Sequence, residues 1–204
     1  MDINARIDRL ESIEEIKQLV SKYAVTLDMR AIDMHVNLFV PEVRVGKDRV
    51  GRQALKKWAD ETFRSKFFGT SHQTGNHIIE FINQDQALGL VYSKNEHETK
   101  TDWAIMQMLY WDVYVRLDDV WLFKKRLPMY WYATDINHPP IGKKKMRWPN
   151  EDPYDGFFHD LFPTWKEFWD SKYNRFADVS KPVKVGEFLQ KLRGNAKDPK
   201  IKVR

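Results

Sequence analysis

The spacing of apolar residues changes once along this chain, and that change constrains the possible folds more than any other feature. In the first 63 residues, apolar side chains recur every three or four positions, which predicts amphipathic helices. The clearest stripe consists of Ile13, Ile16, Val20, Tyr23 and Leu27. Four β-rich runs follow up to residue 134, separated by turn signals at 83–86 and 118–119. Helices followed by a meander of strands indicate an α+β fold.

The helical part is predicted to contain three helices and one short strand. The first helix carries the stripe and has about five turns. Asp33 is predicted to cap a short second helix that Pro41 stops, and a third helix covers residues 51–63. The short strand lies within residues 42–46. We expect these helices to pack into the concave face of one strongly curved antiparallel sheet. This arrangement forms a cone, or α+β barrel, whose interior can hold a small ligand.

The composition changes after residue 138, where proline, glycine and charged residues replace the regular patterns. We therefore divide the chain into a cone domain, residues 1–138, and an aromatic-rich arm with a basic tail, residues 139–204. The net charge of +5 is concentrated in the tail, because residues 181–204 contain eight Lys or Arg and two acidic residues. No nucleic-acid-reading motif accompanies this charge, so we expect no nucleic-acid partner.

Several classes of protein are excluded because the chain lacks the residue types or motifs that they require. Without cysteine it has no disulfide, thiolate nucleophile or iron–sulfur site. Its nine glycines are scattered and form no phosphate-binding loop, and no run of 18 apolar residues suggests a membrane span. Because the polar N-terminus has no signal core, we expect a cytoplasmic protein. A metal site built from His72, His77 and His97 has no supporting spacing, so we predict neither a metal nor a cofactor.

The segment GTSHQTGNHIIEF contains the candidate catalytic base. Strand alternation places His72, Asn76 and Ile78 on one face and His77 on the other, although a bulge at Gly75 would reset this phase. A histidine in this position is either a hydrogen-bonded structural residue or a base. The pattern alone leaves both interpretations open.

Asp28 is the candidate partner of that histidine. It follows Tyr23 at the C-terminal end of the first helix, where the helix dipole disfavours a carboxylate, so we expect its pKa to be raised. Asp28 either ends the helix in a turn, or orients a histidine and stabilises the imidazolium that forms when the ring takes a proton.

Three segments together resemble the SnoaL-like branch of the nuclear transport factor 2 superfamily: SKYAVTLDMR, SHQTGNHIIEF and YWDVYVRLDDVWLFKKR. The resemblance covers residues 8–135 and implies an α+β cone. In the cofactor-free dehydratases and dehydrochlorinases of this family, a histidine abstracts a proton and an aspartate of the first helix orients it. His72 and Asp28 stand at the matching positions. Tyr23 matches a tyrosine that acts on the leaving group or a substrate oxygen.

The resemblance and the aromatic content also suggest residues that bind substrate. Asn95, or Glu96 beside it, stands near the place where one relative has an aspartate. The late-strand arginine of that relative has its nearest counterparts in Tyr130 and Arg126. We expect Asn76 to continue the pocket wall, and about two of five late-strand aromatic residues to face a ring-shaped ligand. These five are Trp103, Tyr110, Tyr114, Trp131 and Tyr132.

The expected function is that of a cofactor-independent lyase for a hydrophobic, ring-containing small molecule. Its reaction is either a dehydration or a retro-aldol loss of formaldehyde, as with lignin-derived diaryl diols. The alternative is a non-catalytic module of the same fold that binds a small molecule or drives oligomerisation. In either case we expect a homo-oligomer, dimer or trimer, with the late strands and the arm at the interface.

Overall fold

The computed structural model describes residues 2–170, 172 and 187–199. The helices in this part are α1 (Ile3–Asp28), α2 (Ile32–Val36), α3 (Arg52–Lys66), α4 (Pro163–Trp169) and α5 (Phe188–Arg193). The strands are β1 (Arg44–Val45), β2 (Arg49–Val50), β3 (Gly69–Phe81), β4 (Gln86–Glu98), β5 (Trp103–Leu117) and β6 (Val120–Thr134). The prediction of an α+β fold, with helices preceding an antiparallel sheet, is confirmed.

Helix α1 is longer than the predicted five turns, with 26 residues. It begins early because Asp2 caps it, accepting a hydrogen bond of 2.8 Å from the backbone N–H of Ala5. Its apolar stripe is buried at Ile16 and Val20. The helix ends at Asp28, so that carboxylate lies at the junction between helix and turn.

The predicted capping role of Asp33 is wrong. Helix α2 begins at Ile32, two residues earlier than a cap at Asp33 requires, and its N-cap is Ala31, whose side chain makes no capping hydrogen bond. Asp33 instead lies in the first turn, where it forms an ion pair with Lys56 of α3. Helix α3 follows Gly51, whose φ of +101° is a conformation that glycine adopts without steric cost.

The four long strands form one antiparallel sheet in the order β3-β4-β5-β6. Because β3 and β6 do not pair with each other, the sheet in the described part of the chain is open, and the cone is formed by this curved sheet with the helices packed in it. The turn between β5 and β6 consists of Asp118 and Asp119 with φ of +48° and +61°, as the turn signal predicted. Register shifts in β3 and in the β5–β6 pairing mark bulges, which bend and twist a sheet.

The two faces of the sheet are covered differently. The concave face packs against the N-terminal helices in the main core, which includes Ile16, Val20, Phe39, Leu55, Met108, Tyr110 and Phe123. The outer face packs against the C-terminal arm of the same chain through a second cluster, which includes Leu109, Trp111, Leu127, Met129, Phe158, Leu161 and Leu189. The arm therefore covers strands that we expected to meet a second copy.

Two further predictions concern the ends of the chain. Residues 181–186 and 200–204 of the predicted basic tail lie outside the described residues. Among the described helices, none combines the length and the apolar character needed to cross a bilayer.

Candidate active site

Asp28 and His72 meet at the edge of the cone interior. One carboxylate oxygen of Asp28, Oδ1, lies 2.6 Å from Nδ1 of the His72 ring, and Oδ2 accepts the backbone N–H of His72 at 2.8 Å. The hydroxyl of Thr70 donates to Oδ1 at 2.9 Å. The side chains of His72 and Asp28 are 7% and 13% exposed. One carboxylate thus holds both the ring and the backbone of the histidine.

The electrostatics of Asp28 differ from the expectation. Burial raises the pKa of this carboxyl, but hydrogen bonds from His72 and Thr70 outweigh burial and hold the pKa below its ordinary value. The expected rise at the helix end is therefore wrong. An ionised carboxylate only accepts hydrogen bonds, so the proton between the two groups lies on Nδ1. In the neutral ring Nε2 then carries the lone pair, and the contact with Asp28 leaves this nitrogen unoccupied because it is made through Nδ1.

Thr70 and Arg30 support this pair and were not predicted. The guanidinium of Arg30 donates from Nη1 to the Thr70 hydroxyl at 2.8 Å and to the carbonyl of Leu27 at 2.7 Å. Arg30 has a φ of +57°, which turns the chain sharply after α1. A signal for Thr70 was present, because it lies two positions before His72 and so shares its strand face.

His97 is a second histidine at the site and was considered only as a metal ligand. Its ring meets the His72 ring edge-on with centroids 5.8 Å apart, and it also contacts Phe67 and Trp148 at 4.8 and 5.4 Å. Burial, together with the nearby His72, lowers the pKa of His97 to about 3, so its ring is neutral at pH 7. Its buried Nδ1 has no hydrogen-bond partner among the described residues. Strand alternation from Asn95 would have placed it on the inner face.

Tyr23 lies deeper in the interior, among other aromatic rings. Its ring centroid is 4.8 Å from that of His35 and 5.7 Å from that of Tyr110. Burial raises the pKa of Tyr23 well above its ordinary value, so the hydroxyl keeps its proton. Burial also raises the pKa of Tyr110, although Arg126 and hydrogen bonds with Asn95 and Tyr23 oppose this rise.

Asn95 connects this interior to the dyad. It pairs with His72 across the β3–β4 ladder, and its side chain is buried. Tyr130 also belongs to the interior, where it packs against the main core, and burial raises its pKa. The structure thus brings together seven of the predicted residues around the dyad and the interior beside it. They are His72, Asp28, Tyr23, Asn95, Tyr110, Tyr130 and Arg126.

The predicted ligand residues Arg126 and Tyr114 meet at the buried Asp112, directly beside the rings of Tyr23 and Tyr110. The Arg126 guanidinium donates to Asp112 at 2.7 and 2.9 Å, and the two side chains are 3% and 0% exposed. The Tyr114 hydroxyl donates to Asp112 at 2.7 Å and lies 3.2 Å from Nε2 of His77. Asp112 was not predicted, although alternation places it on the same face as Tyr114.

The bulge in β3 overturns the predicted faces of that strand. The pairing shifts register between Thr74 and His77, so the two residues between them, Gly75 and Asn76, form the bulge. As a result Asn76 and Ile78 are exposed, whereas His77 faces the interior. The expectation that Asn76 shares a pocket wall with His72 is wrong.

Trp131 also lies on the opposite side from its predicted position. The β5–β6 pairing skips this residue, and its ring packs on the outer face, 5.6 Å from Phe158 and 5.7 Å from His159. Trp103 is likewise exposed. Of the five late-strand aromatic residues, Tyr110 and Tyr114 are the buried ones.

A cavity of about 660 Å³ opens between the turn after α1, helix α3, the β4–β5 turn and the arm. Its lining includes Arg30, Phe67 and Trp148 but neither His72 nor Asp28. Phe67 and Trp148 also pack against His97, whose ring meets that of His72, so ring contacts lead from the cavity wall to the dyad. Among the described residues, no three His, Asp or Glu side chains form a group that could hold a metal ion.

The sequence matches one known protein family. The SnoaL-like domain profile matches residues 8–127, which is more than half of the chain. The chain belongs to the SnoaL-like family. No functionally curated protein matches this SnoaL-like sequence significantly.

Solved structures extend the comparison. A protein from Novosphingobium aromaticivorans DSM 12444, provisionally named a scytalone dehydratase, is 25% identical, with a TM-score of 0.57 over 72% of this chain and 99% of that chain. A type 2 hexachlorocyclohexane dehydrochlorinase (LinA) is 20% identical, with a TM-score of 0.59 over the same shares. The type 3 enzyme from Novosphingobium barchaimii LL02 is 19% identical, with a TM-score of 0.60 over 64% and 94%. The two dehydrochlorinases show the fold alone.

Proposed function

We propose that this SnoaL-like protein is a cofactor-independent lyase acting on a hydrophobic, ring-containing small molecule. The observation that carries the proposal is the hydrogen bond of 2.6 Å between Asp28 and Nδ1 of His72. It leaves Nε2 as the proton acceptor, and the carboxylate stabilises the imidazolium that forms. The dehydratase and dehydrochlorinase names of similar structures agree with lyase chemistry at the level of the family.

Two reactions are compatible with this base. In an elimination, Nε2 of His72 takes a proton from carbon, the electrons of the C–H bond form a double bond, and a hydroxyl group leaves. In a retro-aldol cleavage, Nε2 takes the proton of a hydroxyl group, and the adjacent C–C bond breaks to release formaldehyde. The electrons of that C–C bond form a new double bond, and a hydroxyl group leaves from the neighbouring carbon. In both cases the leaving oxygen needs a proton, and the protonated phenol of Tyr23 is the proposed donor.

The interior favours such a reaction because it is largely dry. Tyr110 and Asn95 are almost fully buried beside the dyad, and His97 is neutral at pH 7. Hydrogen bonds and charges in a water-poor site act more strongly than they do in water. In this proposal substrate enters from the cavity and reaches His72 past Phe67 and Trp148, which line the cavity and pack against each other.

The test is turnover without any added cofactor. The protein is incubated with hydroxylated polycyclic, diaryl and steroid compounds, and wild type is compared with His72→Ala and Asp28→Asn. We expect either substitution to lower kcat by about 10²- to 10⁴-fold, the usual contribution of a general base. Gln73→Ala is the matched control, because Gln73 is the exposed neighbour of His72 on the same strand.

Turnover that survives both substitutions unchanged means that the dyad is not the catalytic group. If wild type and His72→Ala bind members of the panel equally well and neither converts them, the chain is a ligand-binding module of this fold instead.

A further inference from the structure

The cavity beside the dyad has an unbalanced charge. Its lining contains four cationic side chains, Arg30, Arg64, Lys66 and Lys100, and two carboxylates, Asp60 and Glu151. The two carboxylates pair with Arg64 at 2.9 Å and with Lys66 at 3.7 Å. Within the described part of the chain, Arg30 and Lys100 are left without a carboxylate in ion-pair distance.

Arg30 is the better placed of these two cations. Its Nη1 is occupied by Leu27 and Thr70, and its guanidinium carbon lies 4.6 Å from the centre of the Phe63 ring. Nη2 makes one long contact of 3.5 Å to the carbonyl of Phe67. Nε and the second N–H of Nη2 have no acceptor among the described residues. These two donors form one edge of the guanidinium, which matches the two oxygens of a carboxylate.

The apolar part of the lining is largely aromatic and includes Ile32, Phe63, Phe67, Phe68, Trp148 and Tyr154. Uncharged polar residues complete the lining: Ser65, Thr99, Thr101 and Asn150. Flat apolar walls favour a ring. The nearest carboxylate to Arg30, Asp28, is reached only through Thr70, so open donors remain on the guanidinium, and these favour an anion. An aromatic carboxylate satisfies both requirements.

A short chain of contacts joins this anchor to the base. Arg30 donates to Thr70, Thr70 donates to Asp28, and Asp28 holds His72, with separations of 2.8, 2.9 and 2.6 Å. An anionic group bound at Arg30 would lie on the cavity side of Phe67 and Trp148, and the rest of a substrate would extend past these rings towards His72.

We propose that the cavity binds a carboxylate group carried by the aromatic substrate, and that Arg30 is its principal partner. The identification of this ligand as a substrate rests on the proposed function, whereas the existence of the anion site does not depend on it. Arg30 acts as a specificity-determining residue that selects acids over neutral analogues, and Lys100 adds charge at the cavity lining.

The test compares two probes of equal shape, 2-naphthoate and 2-naphthamide, by titration calorimetry at pH 7.5. We expect wild type to bind the acid about 10- to 100-fold more tightly than the amide, as a hydrogen bond to a charged group implies. Arg30→Gln should abolish this preference. The double variant Arg64→Gln with Asp60→Asn is the matched control and should retain it, because it removes an ion pair that lines the same cavity and leaves the net charge unchanged.

Equal affinity of wild type for the two probes, or a preference that persists in Arg30→Gln, overturns the inference. If Arg30→Gln does not fold, Arg30→Lys decides. It keeps the charge but loses the paired donors, so the affinity for the acid should fall several-fold, and an unchanged affinity contradicts the proposal.

Failure of this inference is distinguishable from failure of the proposed function. The acid preference should persist in His72→Ala, which removes the base but not the anchor. An Arg30-dependent preference without any turnover contradicts the lyase proposal alone. Turnover restricted to neutral compounds, with no preference for the acid, contradicts the anion site alone.

Discussion

At the scale of single residues, Arg126 is a buried cation whose stability depends on its neighbours. Its guanidinium carbon lies 4.0 to 4.4 Å from the centres of three aromatic rings, those of Tyr23, Tyr110 and Phe123. Burial lowers the pKa of Arg126, but the charge of Asp112 outweighs burial, and the pKa is raised overall. Nη1 of this guanidinium has no hydrogen-bond partner in the described part of the chain. The cation therefore depends on Asp112 and on the rings for its stability.

Removal of one partner of this ion pair should destabilise the protein more than removal of both. We predict that Arg126→Met lowers the free energy of unfolding by about 3–5 kcal/mol, because Asp112 is left as a buried, uncompensated charge. The double variant Asp112→Leu with Arg126→Met should recover most of this loss. Urea unfolding of the three proteins measures the difference, and a double variant less stable than Arg126→Met would contradict the prediction.

The residues of the site were predictable only where a family pattern carried them. Asp28 and His72 are 44 positions apart, and nothing in their local sequence gives the distance between their side chains. The resemblance supplied that pairing. Arg30 and His97 were not assigned roles at the dyad because their contacts arise only when α1, the arm and the sheet come together. Asp112 was not predicted because acidic residues are rarely fully buried.

At the scale of elements, periodicity predicted the strands well and their faces less well. Each bulge inserts one residue, and one extra residue exchanges the inner and outer faces for the rest of a strand. Gly75 was recognised as a possible bulge, yet its presence could not be decided from β3 alone, because a bulge depends on the partner strand. Asn76 and Trp131 were both misplaced for this reason.

The attachment of the arm gives a prediction about Glu80 of β3. This buried carboxylate accepts the backbone N–H of Leu189 at 2.6 Å and the side-chain amide of Gln190 at 2.7 Å. Glu80→Ala leaves the backbone donor buried without an acceptor, which costs about 1–3 kcal/mol. We predict that limited proteolysis then removes the C-terminal segment faster than in wild type.

Glu98→Ala is the control for this experiment, because Glu98 ends β4 of the same sheet with an exposed side chain. Equal cleavage rates for wild type and Glu80→Ala would show that the carboxylate does not hold α5. The arm had no sustained period, so the sequence did not predict which face of the sheet it covers.

At the scale of the whole molecule, two buried histidines, His35 and His97, and the half-buried His77 make stability depend on pH. Burial lowers the pKa of His35 and of His97 to about 3 and that of His77 to about 4. The unfolded chain binds protons at these residues near pH 6.5, whereas the folded chain does not. The stability they confer is therefore fully present above pH 6.5 and is lost as the pH falls towards 4.

Each of these histidines contributes a slope of up to about 1.4 kcal/mol per pH unit, so the three together reach about 4 kcal/mol per unit. We predict that the free energy of unfolding in urea falls steeply between pH 6.5 and 5. A His97→Gln variant should show a slope shallower by up to about 1.4 kcal/mol per unit. A free energy that stays constant from pH 7.5 to 5 would contradict the burial of these rings.

The fold as a whole was the most predictable level. When amphipathic helices are followed by long β-strands, there are few ways to bury the apolar stripes of the helices and the apolar face of the sheet. The cone buries both against each other. The predicted dimer or trimer stays a prediction, and the covering of the outer face by the arm removes one surface on which it was expected.

The proposed lyase mechanism depends most on one feature, which is that Asp28 holds His72 as a proton acceptor. Nitrogen-15 NMR of the His72 side chain tests it directly, because chemical shifts and couplings distinguish a protonated from a bare ring nitrogen. In the neutral ring we predict a proton on Nδ1 and a bare Nε2, with Asp28→Asn moving the proton to Nε2, because the asparagine amide can donate to Nδ1. A proton found on Nε2 in wild type would contradict the claim.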